Sequence, residues 1–591
     1  MKNSILKNIA IGLIIVFPFA SCSDFLEETN PNALSTDNFW KTQADLELGL
    51  TSVYNSFKNS SVLRLVDEYQ RSDMTWPGWG RPNTNNEYFL QTFNESSNAP
   101  NDKWTALYTG IFRANQVIEA YNNLKGTFAS QEAEEETAII EAQARFFRGL
   151  YHFYLYTSFN NGSVIMYDFV PKDESEFYQT VSPAEEVQAF YRADLEYARE
   201  NLPPVWNDNK DKGRATSGAA TALLGKSYLY AQDYATAATY FKDVIDNPDY
   251  GYALTNSIGE NFTTWNEFNE ESILEISYSL NFKSEVSIWD EEQTSTNLNY
   301  AFSPVGGWRS LYPACWLQMA YKKEKMDTSD PRNYVLDDNG DPRLRTYSLR
   351  TSWSIALVDD LDQSYYQKTS AQGANFNNGE TAYWRKNTNW DIVGSERDIV
   401  PSERSGINVR VIRLADVYLM YAEALIKGGT DASGVNEAMR YINRVRKRSA
   451  LELIGPVGTG EYPSADHDGI TYNAQSLMNH LMYVERPLEL SAEGHAIRTI
   501  DLRRWGITKQ RFDELAVGLY NQENFPFVNE KGNNATRWGS ILVEVGTVAE
   551  AHARYVDRSQ PAANYLESSH GYWPLPNGEI TANPQLNTET N

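Results

Sequence analysis

Residues 217–249 constrain the fold of this chain more than any other stretch. Leu224, Gly225, Tyr228, Ala237 and Phe241 stand where a tetratricopeptide repeat of about 34 residues requires them; Val244 replaces a small residue and Pro248 comes one place early. The pattern has a packing cause. Small Gly225 and Ala237 let two helices approach, while Tyr228 and Phe241 fill the groove between them. One such pair cannot bury its own faces, so further, degenerate pairs are expected around it.

Helical periodicity continues on both sides. Residues 40–57, with Asp37 as cap, place Leu46, Leu50, Val53, Tyr54 and Phe57 at spacings of three and four. Residues 104–124 repeat this with Tyr108, Ile111, Phe112, Asn115 and Ile118, and a third helix is predicted over 132–159. A second pair is predicted at 407–426 and 435–448, joined by Gly428-Gly429, with Ile412, Ala415, Leu419 and Ala422 as its apolar stripe. Between the pairs, 250–400 is rich in Asn, Ser, Thr, Gly and aromatics, with a strand-like run at 272–276; it reads as a loop-rich insertion. The stretch from Thr508 onward has the same mixed character. The expected fold is mainly α: a tetratricopeptide-type helical-repeat body with large loop-rich insertions and minor β. Such a body accounts for 591 residues, well beyond the roughly 250–300 at which one core stops growing.

The N-terminus reads as an address. Lys2 and Lys7 precede an apolar stretch from Ile9 to Ala20, too short for the about 20 residues of a spanning helix. It ends at Phe19-Ala20-Ser21-Cys22, which resembles a bacterial lipobox. Residues 1–21 are therefore expected to be a lipoprotein signal peptide, Cys22 the lipidated residue, and 22–35 a tether opening with acidic Asp24, Glu27 and Glu28. The other cysteine, Cys315, then has no disulfide partner.

Charge and motif content exclude several functions. A formal charge of −26, or −28 without Lys2 and Lys7, opposes nucleic-acid binding, which needs a basic footprint. The six histidines show no zinc spacing, and Asp337 to Asp341 misses the EF-hand order, so no metal or cofactor is expected. A glycoside hydrolase would need two carboxylates at a set separation, and 78 acidic residues select no pair. A pure protein-interaction scaffold is the other rival.

Residues 413–424 (RLADVYLMYAEA), Ile442-Asn443-Arg444-Val445-Arg446, Glu485-Arg486-Pro487-Leu488-Glu489-Leu490 and Asp501-Leu502-Arg503-Arg504-Trp505-Gly506 resemble the RagB/SusD family in content and order. Asn38-Phe39-Trp40, Arg113-Ala114-Asn115 and residues 144–150 agree with it. The resemblance implies one SusD-like domain over 36–591, with helical repeats at about 36–250 and 407–506 and a ligand region at about 250–400. It implies a cell-surface, outer-membrane lipoprotein, not an enzyme, that hands oligosaccharides to a SusC-like TonB-dependent transporter. Another glycan, or a peptide, in the same transport role is the alternative. The signature charges Arg413, Asp416 and Glu423 are expected on nearly one helix face, paired with Arg444, Arg446 or Arg503.

Sugars are held by aromatic faces and a few planar polar groups. Trp76-Pro77-Gly78-Trp79 fits a type II turn with an indole on each side, and Asp73, Arg81 and Asn83 lie near enough to supply hydrogen bonds. A second candidate is Gly306-Gly307-Trp308, where the glycines project Trp308 outward, followed by Trp316, which begins an apolar helix-like run and fits core packing as well as ligand stacking; the resemblance implies ligand-facing aromatics near this place. The remaining tryptophans are taken as core. The acidic balance favours a neutral glucan, with a β-glucan such as laminarin first and a starch-like α-glucan or a hemicellulose behind it.

Overall fold

A computed structural model describes residues 39–78, 85–281, 294–377, 379–429, 432–545, 555–556 and 558–586. Helices α1 Gln43–Lys58, α2 Asn98–Leu124, α3 Gln131–Ser158, α4 Ala184–Asn201, α5 Ser217–Tyr230, α6 Tyr234–Asp246, α7 Leu414–Lys427 and α8 Ala432–Arg448 pack each against the next in chain order. The stack continues from α6 directly onto α7, so the insertion leaves and re-enters it without breaking it.

Local chemistry sets the helix ends. Thr42 and Asp45 form a reciprocal capping box on α1, which displaces the expected start at Trp40; Asp37 lies outside the described residues. Ser130, Thr216 and Asp233 cap α3, α5 and α6 through their side-chain oxygens. In the α5–α6 pair, a Cβ on Gly225 would lie 2.7 Å from the Phe241 ring, the close approach read from the repeat. Tyr228 also bridges the pair: it stacks on Tyr240 of α6 at 5.5 Å, with the Arg192 guanidinium of α4 3.8 Å from its ring.

Short strands frame the insertion: β1 Thr75–Pro77, β2 Ser272–Ile276, β3 Leu311–Pro313 and β4 Val409–Arg413. The expected helix over 407–426 is corrected here. Its β-branched start, Val409-Arg410-Val411-Ile412, pairs antiparallel with β2, and the helix begins only at Leu414. In the C-terminal region, whose sequence has a mixed character, β5 Leu519–Val528 and β6 Asn534–Glu544 form a bulged antiparallel hairpin. One core fills the helical stack; another, built from Trp76, Phe302, Trp316, Trp384 and Trp390, lies under the insertion and takes Tyr520 and Leu542 from the hairpin.

The signature charges are buried and paired, with other partners than expected. Arg413 ends β4 rather than riding the helix face, and its guanidinium meets Glu493 (2.6 Å), Glu271 and Glu489 (both 2.7 Å). Asp416 meets Arg486 (2.9 Å) and Lys226 (3.3 Å); Glu423 meets Arg504 (2.5 Å) and accepts from the Trp505 indole (2.7 Å). Arg444 instead pairs with Glu461 and Arg446 with Glu485, while Arg503 donates to the carbonyls of Thr157 and Gly571. These charges join the insertion, β4, α5, α7 and α8.

Candidate functional site

The two candidate loops, far apart in sequence, are one unit. β1 and β3 pair antiparallel with Trp76 opposite Tyr312, and the Gly78 amide donates to the Ser310 carbonyl at 2.8 Å. The strands cross so closely at Gly78 that a Cβ there would lie 1.5 Å from the Arg309 carbonyl oxygen. On the other side, Gly306 takes φ +85° and a Cβ on Gly307 would lie 2.6 Å from the Tyr300 carbonyl. The loop therefore folds back on residues 298–302: the Trp308 amide donates to Tyr300 (2.6 Å) and Ser310 to Ala301 (2.7 Å). This holds the Trp308 indole edge-on against Tyr300 at 5.7 Å, half-buried with part of its surface open.

The site residues expected from sequence separate into three groups. Trp76 and Trp316 are 6% and 7% exposed and belong to the insertion core, which corrects the picture of Trp76 as an open stacking face. Residues 75–77 are strand rather than turn, because Leu311, Tyr312 and Pro313 supply a pairing edge. Asp73 is fully buried. Both its oxygens face the Arg498 guanidinium (2.8 Å each), one also meets Arg511 (3.0 Å), and its carbonyl accepts from the Trp316 indole (2.5 Å). Burial would raise its carboxyl, but Arg498 and Arg511 hold it well below the usual carboxylate range. Asp73 is a strut, not a sugar reader. Trp79, Arg81 and Asn83 lie outside the described residues, as does Cys22. Trp308 remains.

Trp308 and Ser310 line one wall of a cleft of about 270 Å³. The chain just after α1 also lines the cleft, with Asn59, Ser60, Arg64 and Asp67, as do Tyr278, Thr296 and Asn297. Arg64 takes φ +46° and sets its guanidinium between Asp67 (2.8 Å) and Asp102 (3.1 Å). Burial pushes the Asp67 carboxyl up, opposed by Arg64. The Tyr278 hydroxyl is spent on the Lys58 carbonyl, so this residue offers ring rather than donor. The arrangement is one indole beside amide, hydroxyl and guanidinium groups, the equipment for stacking on a sugar ring and reading its hydroxyls.

The sequence reading missed Asn59, Arg64 and Asn297 because no local motif marks them; the fold alone gathers them. It also placed Trp265 and Trp538 in the core by default, whereas they are 62% and 59% exposed.

The family model described as the SusD family matches residues 270–591, more than half of the chain. The chain belongs to the SusD family. A second model, described as starch-binding associating with outer membrane, matches 24–229 of this SusD-family chain. A curated relative, SusD-like protein P25 of Formosa agariphila, is 25% identical over 85% of this chain and 90% of its own length. Among solved structures, a SusD superfamily protein from Bacteroides vulgatus superposes with TM-score 0.67 at 23% identity, covering 93% of this chain and 98% of that one. A laminarin-binding SusD-like protein gives 0.60 at 24%, covering 80% and 94%. A structure with xylogluco-oligosaccharide gives 0.63 at 20%, covering 92% and 98%. These likenesses establish that the helical stack with its insertion is the SusD-like fold.

Proposed function

We propose that this SusD-family chain is a cell-surface glycan-binding lipoprotein that captures a neutral oligosaccharide at the Trp308 cleft and passes it to a SusC-like TonB-dependent transporter. The observation that carries the reading is the half-open Trp308 indole, fixed by two glycines and a backbone ladder beside Asn59, Arg64 and Asn297. Asp67 is the one carboxylate among the described lining residues and is paired with Arg64, which favours binding over two-carboxylate hydrolysis. The acidic balance disfavours polyanionic glycans, and the laminarin-binding relative supports a β-glucan as the first ligand to test. A xyloglucan oligosaccharide is the second reading, favoured by the relative solved with one. Trp79, Arg81 and Asn83 stay part of the proposed site, whereas Trp76, Trp316 and Asp73 support it from below.

Calorimetry with laminari-, xylogluco-, malto- and alginate oligosaccharides tests this. Trp308→Ala is expected to weaken the bound neutral sugar about 30-fold, roughly 2 kcal/mol, with little change in melting temperature. Unchanged affinity would overturn the site, and release of reducing ends would overturn the binding-only role. For the anchor, Cys22→Ala is expected to move the protein from the membrane fraction to the soluble one; retention in the membrane would refute lipidation at Cys22.

A further inference from the structure

A second cavity is lined by more aromatic rings than the Trp308 cleft. Trp104, Tyr108 and Phe112, at successive fourth positions of α2, form a stripe that faces a loop carrying Tyr167, Phe169 and Phe177 rather than another helix. The segment around Glu579 and Asn583 closes the third side, leaving an open groove of about 430 Å³. Phe177 at its lip is 48% exposed.

The polar atoms of this groove are already committed. The hydroxyl of Tyr108 donates to the Ile165 carbonyl (2.8 Å), that of Tyr167 to the Phe177 carbonyl (2.6 Å) and that of Tyr178 to Glu174 (2.6 Å). The Asn115 amide spans the carbonyls of Tyr167 and Phe169 (both 2.9 Å), and the Trp104 indole donates to Glu579 (3.1 Å). What remains is ring surface, which suits an apolar anchor better than a polyol whose hydroxyls would go unmatched. The segments that build two of its sides are mostly acidic. Residues 165–179 and 577–586 carry Asp168, Asp173, Glu174, Glu176 and the lining residue Glu579 against Lys172 alone, and Lys172 is paired with Glu119 at 3.2 Å.

We propose that this groove docks a polypeptide segment of a partner protein that carries an aromatic or leucine anchor flanked by lysine or arginine. The anchor fills the ring-lined floor and the cations meet the acidic segments, so apolar burial supplies affinity and charge complementarity supplies orientation. The site is separate from the Trp308 cleft and does not depend on the sugar-binding reading.

The test is panning of a phage-displayed random dodecapeptide library on the mature chain, followed by anisotropy of the labelled enriched peptides. Thr109→Trp, an exposed α2 position that fills the groove, and Phe177→Ser at the lip leave the core intact. Expected are peptides with a Phe, Trp or Leu beside Lys or Arg, bound at least tenfold more weakly by each variant and more weakly at high salt, with oligosaccharide affinity unchanged in both. Any of three results would overturn the proposal: no enrichment, enrichment of acidic peptides, or binding that survives both variants. Loss of oligosaccharide affinity in Thr109→Trp would also overturn it, by making the groove a sugar subsite.

Discussion

Gly78 is where one added methyl group does the most damage. Its missing Cβ leaves room for the Arg309 carbonyl oxygen at what would be 1.5 Å, and backbone cannot retreat as a flexible side chain can. Gly78→Ala is expected to open the β1–β3 ladder and cost about 3 kcal/mol in urea denaturation. It should also weaken sugar binding as far as Trp308→Ala does, since the same ladder positions that indole. A stable Gly78→Ala variant with full affinity would refute the close crossing. At this scale the sequence was half legible. The paired loops were visible as Trp, Pro and Gly clusters, but a Pro-Gly dipeptide signals a turn and a strand passing under another backbone alike, and residues 311–313 decide between them.

Among the elements, the helix pairs were the most legible part, because small residues facing aromatics at repeat spacing have few other packing solutions. Gly225→Val should cost about 1–3 kcal/mol by driving a branched side chain into Phe241; a neutral result would show that α5 and α6 are not in close contact. The strand β4 was misread as helix because an apolar run of β-branched residues next to a helix lacks its own boundary signal. The ion pairs were foreseen as a class, but their partners depended on where β4 ends. Burial would raise the Glu489 carboxyl, yet Arg448, Arg413 and Arg350 hold it down to about 2; Glu485 and Asp73 are lowered in the same way. A carboxyl lower in the folded than in the unfolded chain stabilises fully above its unfolded value near 4.5, and the contribution disappears as pH falls toward 2. This carboxyl contribution to the urea midpoint should therefore hold above about pH 5 and fall steadily below it. Glu489→Gln should cost about 3–5 kcal/mol at pH 7 and flatten that acid slope; an unchanged slope would show that Glu489 is not ionised in the fold.

For the whole molecule, the formal charge of −26 sets what reaches its surface. Affinity for a neutral laminari-oligosaccharide should be nearly the same from 0.05 to 0.5 M salt, while alginate oligomers should not bind at either; tight alginate binding at low salt would refute the neutral-ligand reading. The sequence by itself determined the class of this protein: periodicity and small-residue spacing specify stacked helix pairs locally, and the ordered signature segments place the chain with the SusD family. Only the tertiary structure decided which aromatics face outward. Trp76, Trp316 and Trp308 stand in similar sequence surroundings, and their burial depends on what the insertion and the C-terminal hairpin lay over them. The tertiary structure likewise assembled Asn59, Arg64 and Asn297 beside Trp308, and Trp104, Tyr108 and Phe112 beside Phe177, from segments that share no local pattern. A binding surface is a sum over distant segments, whereas a helix pair is written within a few turns of chain.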